Sequence, residues 1–225
     1  MCPGLRGPGR LLPVGDRRGR GGEVTTSLLE CERTARSDGL AAGLARALPA
    51  TPADRLAPGR YAAVPAAAVP DGAELRTHSL AGREGIVFLA CPGRPREERD
   101  ALELADFGRH LAAVRLGVLR SVLDHVVEHL SQRTSGDEPL IRKQLIAGAI
   151  GDVMAAVERL RAQVRSQRHP AAVADVHREL DELGWRVAQH LGASGFLATS
   201  PARSLYVSAL VAGTWVDREP EGEPA

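Results

Sequence analysis

Aromatic side chains are scarce in this sequence of 225 residues, where phenylalanine, tryptophan and tyrosine together make up 3%. Hydrophobic residues nevertheless reach 44%, so a packed core must be built from alanine, valine, leucine and isoleucine. Alanine and leucine are strong helix formers, and small aliphatic side chains suit helices packed on helices. The composition therefore favours a mainly helical protein.

Cysteine is also sparse. Cys2, Cys31 and Cys91 lie far apart and match neither a CxxC motif nor a zinc-ligand spacing. This usage argues against a disulfide framework and for a reducing compartment. The N-terminus lacks the apolar segment of a secretory leader, and no apolar run approaches the roughly 20 residues of a membrane span. We therefore expect a cytoplasmic protein.

Neither sign of charge is in excess, since 29 basic residues face 28 acidic ones. This balance creates no overall field to attract nucleic acid or an anionic membrane, so neither is expected as a partner. The sequence also lacks a P-loop, a serine nucleophile elbow and a dinucleotide-binding glycine pattern. Function must therefore be sought in the organisation of the chain.

The composition divides the chain into four predicted segments. These are a disordered tail rich in glycine, arginine and proline (1–22), a reduced N-terminal region (23–95), a helical bundle (96–216) and a frayed acidic tail (217–225). Within the N-terminal region, the pattern predicts a helix over 23–48, a proline-rich irregular stretch over 49–72 and a β hairpin over 73–91.

Apolar residues recur at helical spacing through the C-terminal half, for example at Leu104, Phe107 and Leu111. Turn residues, His169-Pro170 and Gly192 interrupt the pattern. The predicted helices span 96–132, 140–167, 171–191 and 201–216. Four helices joined by short turns predict an antiparallel four-helix bundle, preceded by a small, partly irregular α+β segment.

Three motifs agree in order and spacing with one protein family. Gln132-Arg133 and Pro139-Leu140 follow the first long helix, residues 189–196 (QHLGASGF) form a glycine-rich loop, and residues 201–209 (PARSLYVSA) begin the last helix. Together they resemble the C-terminal helical domain of acyl-CoA dehydrogenases over about half of the chain. Residues 29–39 are similar to a helix of that family's N-terminal domain, and residues 61–91 to a remnant of its β domain.

The resemblance implies FAD as a cofactor, bound where subunits meet. It places Arg133 where an arginine reaches the cofactor, and Gly192 and Gly195 where glycines let the backbone approach it. An exposed arginine favoured by the dipole at a helix C-terminus is the alternative for Arg133. The departures from the family pattern are Ser135-Gly136-Asp137 for Gln-Phe-Gly, Ala193 for a glycine, and Val207-Ser208 for Arg-Asp.

The family's catalytic base is a glutamate that removes the α-proton of an acyl thioester while hydride leaves to the flavin. The two positions that carry it in different members hold Val216 and Gly108 here, and Gly108 is followed by Arg109. Neither position carries a carboxylate. Asp217 and Glu219 could act only if the register shifted, because a base needs hydrogen-bond reach to its proton.

These observations leave three functional hypotheses. The first is a degenerate acyl-CoA dehydrogenase-like protein that acts on the CH–CH bond of a CoA- or carrier-linked acyl thioester. It would work as a homo-oligomer or with a fuller flavin-binding homologue. The second is a cofactor-free lyase, isomerase or cyclase that reuses the acyl pocket, with His110 and Arg109 as catalytic candidates. The third is a non-catalytic partner subunit whose apolar face forms an interface.

A metal site is not expected. His125 and His129 have the spacing of two zinc ligands on one helix, with Glu128 between them. Zinc also needs a third protein ligand, and no motif supplies one. Solvated polar positions on a bundle helix are the simpler interpretation.

Overall fold

The computed structural model describes residues 18–49, 51–91 and 101–216. The predictions for residues 1–17 and for the acidic tail from Asp217 onward lie outside these described residues. None of the described helices is both long and apolar enough to cross a membrane.

Apart from its first helix, the described elements of the N-terminal region are short, and the long helices of the bundle follow them. The helices are α1 (Arg18–Asp38), α2 (Leu40–Ala47), α3 (Ala53–Leu56), α4 (Ser79–Arg83), α5 (Ala101–Gln132), α6 (Gln144–Ser166), α7 (Pro170–Gln189) and α8 (Arg203–Trp215). The strands are β1 (Tyr61–Pro65), β2 (Leu75–Arg76), β3 (Ile86–Ala90), β4 (Thr134–Ser135) and β5 (Glu138–Pro139). Short 3-10 turns cover Ala66–Ala68, Leu140–Arg142 and Gly192–Phe196.

Helix α5 forms the centre of the molecule. It contacts α6, α7 and α8 of the bundle as well as α1 and α2 of the N-terminal region. Every residue from 111 to 119 is buried, so this stretch packs against neighbours on all of its faces. The mainly helical fold and the four-helix bundle predicted from the sequence are confirmed.

The helix predicted over 23–48 begins earlier in the structure and is divided into two helices, α1 and α2. It begins at Arg18, inside the segment predicted to be disordered, and it breaks at Gly39 instead of running to residue 48. Gly39 has φ of +91°, a backbone conformation that residues with a side chain rarely adopt. The glycine therefore turns the chain so that Leu40 and Leu44 of α2 join the core beside Ala35.

The β hairpin predicted over 73–91 is wrong, because the main partner of its second strand, β3, lies outside that range. Strand β3 pairs antiparallel with β1 over its full length, with Ala63 opposite Phe88, and the two-residue β2 covers its other edge. The expected turn over 81–85 begins as helix α4. Strand β1 lies in the stretch that was predicted to be irregular. The prediction missed it because five prolines between 49 and 72 surround the short apolar segment 62–64.

The sheet is joined to the bundle through the end of α8. The indole Nε1 of Trp215 donates to the carbonyl of Ala63 at 2.8 Å, and the Ala63 amide donates to Thr214 Oγ1 at 3.1 Å. The Trp215 ring packs edge-on against Phe107 of α5, with 4.6 Å between ring centroids. One buried aromatic pair therefore connects β1, α5 and α8.

Candidate functional site

An apolar cavity lies between α5, α7, α8 and the turn Gly192–Phe196. Its volume is about 390 Å³, which is within the usual range for small-molecule sites. Most of its wall is hydrocarbon, because the buried stripes of α5, α7 and α8 converge there. The apolar side chains that line it include Leu80, Leu119, Leu180, Trp185, Phe196, Leu197, Leu205 and Tyr206.

The mouth of the cavity carries exposed aromatic residues. Trp185 and Phe196 are each 57% exposed, and their rings stack edge-on at 5.3 Å between centroids. Leu197 and Tyr206 beside them are also exposed. Large apolar side chains grouped on a surface mark a ligand or protein contact more often than chance exposure.

One wall of the cavity is polar. Arg115, with 2% of its side chain exposed, forms an ion pair with Asp181 across the α5–α7 contact. Its Nη1 also donates to the His177 carbonyl at 3.1 Å and lies 3.0 Å from His177 Nδ1. A buried ion pair is tolerated only when further hydrogen bonds satisfy its donors and acceptors, and His177 supplies such partners here.

The surroundings of His177 define its tautomer. Its Nε2 lies 2.9 Å from the Gly108 carbonyl, which can only accept a hydrogen bond. Arg115 can only donate. His177 therefore carries its proton on Nε2 and accepts at Nδ1, which makes it a neutral imidazole that orients Arg115 toward Asp181.

The two catalytic candidates on α5, Arg109 and His110, lie away from the apolar cavity. Arg109 is buried and donates from Nε to the Val164 carbonyl at 3.1 Å and from Nη2 to the Arg165 carbonyl at 3.3 Å, where α6 ends. Burial lowers the pKa of Arg109, and the nearby Arg168 lowers it further, against the raising effect of Asp106. His110 Nδ1 lies 2.8 Å from the Asp106 carbonyl. Neither residue lines the apolar cavity.

The two positions at which the resemblance places the family's base, Gly108 and Val216, are both buried. A Cβ at Gly108 would lie 2.9 Å from Val173 Cγ1, so α7 occupies the space that a glutamate side chain would need. Val216 follows α8 and has 9% exposure. Asp217 and Glu219, the alternative carboxylates, lie outside the described residues.

The three candidate flavin contacts lie in two places, after the end of α5 and after the end of α7. Arg133 is exposed just after α5, with Nη1 3.3 Å from His129 Nε2. Gly192 has φ of +59° and open space beside it, whereas a Cβ at Gly195 would lie 2.6 Å from the Ala188 carbonyl. Contacts of Gly108 with Val173 and of Arg115 with Asp181 show that α5 and α7 run alongside each other. At 1.5 Å per residue, Arg133 lies roughly 14 Å beyond the end of α7.

This donor set does not form a flavin site by itself. One exposed arginine and one open glycine are too few to hold a pyrophosphate and an isoalloxazine ring. Beside the turn Gly192–Phe196, burial lowers the pKa of His190, and Arg186 lowers it further. This side chain therefore adds no cation near neutral pH. A flavin next to this chain would have to be held mainly by another one.

His125 and His129 on α5 have the spacing of two zinc ligands. Among the described residues, no three histidine, cysteine, aspartate or glutamate side chains come together as a metal ion would require. His125 is exposed on α5.

The polar wall of the cavity was not predicted from the sequence. Arg115 interrupts an apolar run between Val114 and Leu116, and His177 and Asp181 are four residues apart on α7. A charged residue inside a buried helical stripe was the available signal, because such a residue requires a partner. The partner could not be inferred without knowing which faces of α5 and α7 meet.

Comparison with known proteins identifies the bundle. The sequence profile described as "Acyl-CoA dehydrogenase, C-terminal domain" matches residues 99–216. This match covers more than half of the chain, and the protein belongs to the acyl-CoA dehydrogenase family. That family generally binds FAD. No curated protein matches the chain.

Solved structures with a similar fold include a variant of the Tcur3481-Tcur3483 steroid ACAD, at 20% identity and a TM-score of 0.49, covering 64% of this chain and 45% of that one. Butyryl-CoA dehydrogenase from Megasphaera elsdenii has 16% identity and a TM-score of 0.48, covering 70% and 45%. The ChsE4-ChsE5 complex from Mycobacterium tuberculosis has 19% identity and a TM-score of 0.44, covering 63% and 44%. The chain thus spans less than half the length of these proteins.

Proposed function

We propose that this chain is an acyl-CoA dehydrogenase-like subunit that binds the acyl part of a thioester in its apolar cavity and relies on a fuller homologue for flavin and base. The observation that carries the proposal is the cavity of about 390 Å³ next to the glycine-rich turn, inside the domain that the family profile matches.

The chemistry of the cavity supports an acyl ligand. Its walls are mainly aliphatic and aromatic, so the transfer of a hydrocarbon chain from water into it is favourable by about 25 cal/mol per Å² of apolar surface buried. The Arg115–Asp181 pair provides one polar edge, where a thioester carbonyl can meet a donor.

The partner role rests on what the bundle lacks and exposes. The described base positions, Gly108 and Val216, carry no carboxylate, and the candidate flavin contacts are too few for a complete site. The exposed rim of Trp185, Phe196 and Leu197 offers an apolar surface on which a second chain can pack.

The first test is binding with a blocked cavity. Ala209 lines the cavity, whereas Ala147 is exposed on α6 and does not. We expect Ala209→Trp to weaken octanoyl-CoA binding at least tenfold in calorimetry, because the indole fills the space that the acyl chain needs. Ala147→Trp is the matched control and should bind like the wild type. Equal affinities in the two variants would refute the acyl assignment.

The second test concerns the partner. The chain is purified alone and after co-expression with a full-length homologue from the same genome, and a flavin absorption spectrum is recorded for each sample. We expect a colourless chain alone and a yellow complex that co-elutes in gel filtration. A colourless sample in both cases would exclude a flavin-dependent role.

A cofactor-free lyase, isomerase or cyclase is the second candidate, and one observation favours it: the carboxylate of Asp181 is partly exposed at the cavity wall. Asp181→Asn would then abolish turnover of a bound thioester without flavin, while octanoyl-CoA binding survived. Product formation at the wild-type rate by this variant would exclude Asp181 as the base.

A further inference from the structure

A second cavity lies where α1, α5 and α6 meet, and it differs in character from the apolar one. Its volume is about 280 Å³, and it shares no lining residue with the apolar cavity. Five of its seven lining residues are arginines. We name it the arginine cleft, and its members are Leu29, Glu32, Arg33, Arg36, Arg120, Arg161 and Arg165.

Part of this positive charge is neutralised inside the cleft. Glu32, which is buried, receives two hydrogen bonds from the guanidinium of Arg161, including Nε to Oε2 at 3.0 Å, and one from Arg120 Nη1 at 3.4 Å. This arrangement fixes Arg161 and Arg120 against the wall, because the fork of Arg161 holds both carboxylate oxygens. The inner half of the cleft is therefore rigid.

The acids around the cleft do not balance its arginines. Asp124 pairs with Arg36 at 2.8 Å, and Glu158 pairs with Arg161 and lies 3.7 Å from Arg120. Together with Glu32, three carboxylates face five guanidinium groups. Within the described parts of the chain, neither Arg33 nor Arg165 makes an ion pair, so the excess of two positive charges falls on these two side chains.

An excess of two positive charges beside a cavity matches a dianion. Guanidinium groups bind phosphate oxygens through paired N–H donors, and they do so more strongly where solvent is partly excluded. A phosphate monoester carries about 1.5 to 2 negative charges near neutral pH, and free phosphate is a mixture of its mono- and dianion there. A cation would be repelled, and a neutral apolar ligand would leave the guanidinium donors without acceptors.

We propose that the arginine cleft is a phosphate-binding site, in which Arg33 and Arg165 contact the phosphate oxygens and the Glu32–Arg161 pair fixes the wall behind them. This site is independent of the acyl cavity and of the proposed dehydrogenase-like role. Its ligand is either free phosphate or the phosphate monoester of a larger molecule.

Calorimetric titration at constant ionic strength tests the site, with inorganic phosphate and adenosine 3′,5′-bisphosphate as probes and sodium chloride balancing the buffer. We expect saturable binding of at least one probe to the wild type. A tenfold preference for the bisphosphate assigns the site to an organic phosphate ester, whereas equal or stronger binding of inorganic phosphate assigns it to the free ion.

Variants separate the cleft from general charge effects. Arg33 and Arg165 are exposed, so their replacement leaves the core intact. We expect Arg33→Gln combined with Arg165→Gln to weaken probe binding at least tenfold with an unchanged circular dichroism spectrum. Arg178→Gln, on the exposed face of α7, is the matched control and should bind like the wild type. Absence of saturable binding to the wild type, unchanged affinity in the double variant, or an equal loss in the control would overturn the proposal.

Discussion

The contact between α1 and α5 depends on Gly117, and its replacement by alanine is the sharpest test of the fold. A Cβ at this position would lie 2.2 Å from the carbonyl oxygen of Glu32 and 2.8 Å from Ala35 Cβ. Both atoms belong to the α1 helix, which cannot yield locally without breaking its own hydrogen bonds. The two helices must therefore move apart in the Gly117→Ala variant.

The magnitude follows from two opposing effects. Overpacking of a well-packed contact costs about 1–3 kcal/mol, and the 2.2 Å distance to a backbone oxygen places this case at the upper end. The better helix propensity of alanine returns about 0.8–1 kcal/mol. We expect a net loss of about 2 kcal/mol in the free energy of unfolding, measured by urea denaturation with far-ultraviolet circular dichroism.

Gly151→Ala is the matched control. Gly151 is exposed on α6, and no atom lies within 4 Å of the position that an added methyl group would take, so only the propensity gain applies. This variant should be more stable than the wild type by up to about 1 kcal/mol. If Gly117→Ala were as stable as Gly151→Ala, the close packing of α1 on α5 would be refuted.

Three further predictions concern buried polar groups and their hydrogen bonds. Trp215→Phe removes the hydrogen bond to Ala63 that joins β1 to α8, and urea denaturation should show a loss of about 1–2 kcal/mol. Arg109→Ala leaves the Val164 and Arg165 carbonyls without this donor, so the free energy of unfolding should fall by about 2–3 kcal/mol while calorimetry shows unchanged octanoyl-CoA affinity. Burial raises the pKa of Cys31 to about 11 from the usual 9, so the folded state retains a proton that the unfolded state loses. Stability should therefore fall as the pH rises from 9 to 11, and Cys31→Ala should remove that part of the pH dependence.

The helices of the bundle could be predicted from the sequence because their apolar periodicity is long and their breaks fall at glycine, proline and turn residues. The predicted third helix, 171–191, and the observed α7 (Pro170–Gln189) differ by no more than two residues at either end. The short elements were harder. Strand β1 owes its existence to pairing with β3 and to contact with Trp215, and neither partner is adjacent to it in sequence.

The site divides in the same way. The glycine-rich turn was recognised because its composition is local, and it does border the cavity through Gly195 and Phe196. Arg109 and His110 are polar residues on a buried helix, which predicts a site, yet their contacts are with the end of α6 and with Asp106. The Arg115–Asp181 pair depends on the packing of α5 against α7, which sequence periodicity alone does not define.

Calorimetric titration of the wild-type chain with octanoyl-CoA and with free CoA tests whether the apolar cavity binds an acyl chain. We expect saturable binding of octanoyl-CoA that is at least tenfold tighter than that of CoA, with a negative heat-capacity change from burial of the acyl chain. Equal affinity for the two ligands, or no saturable binding of octanoyl-CoA, would show that the cavity does not bind an acyl chain.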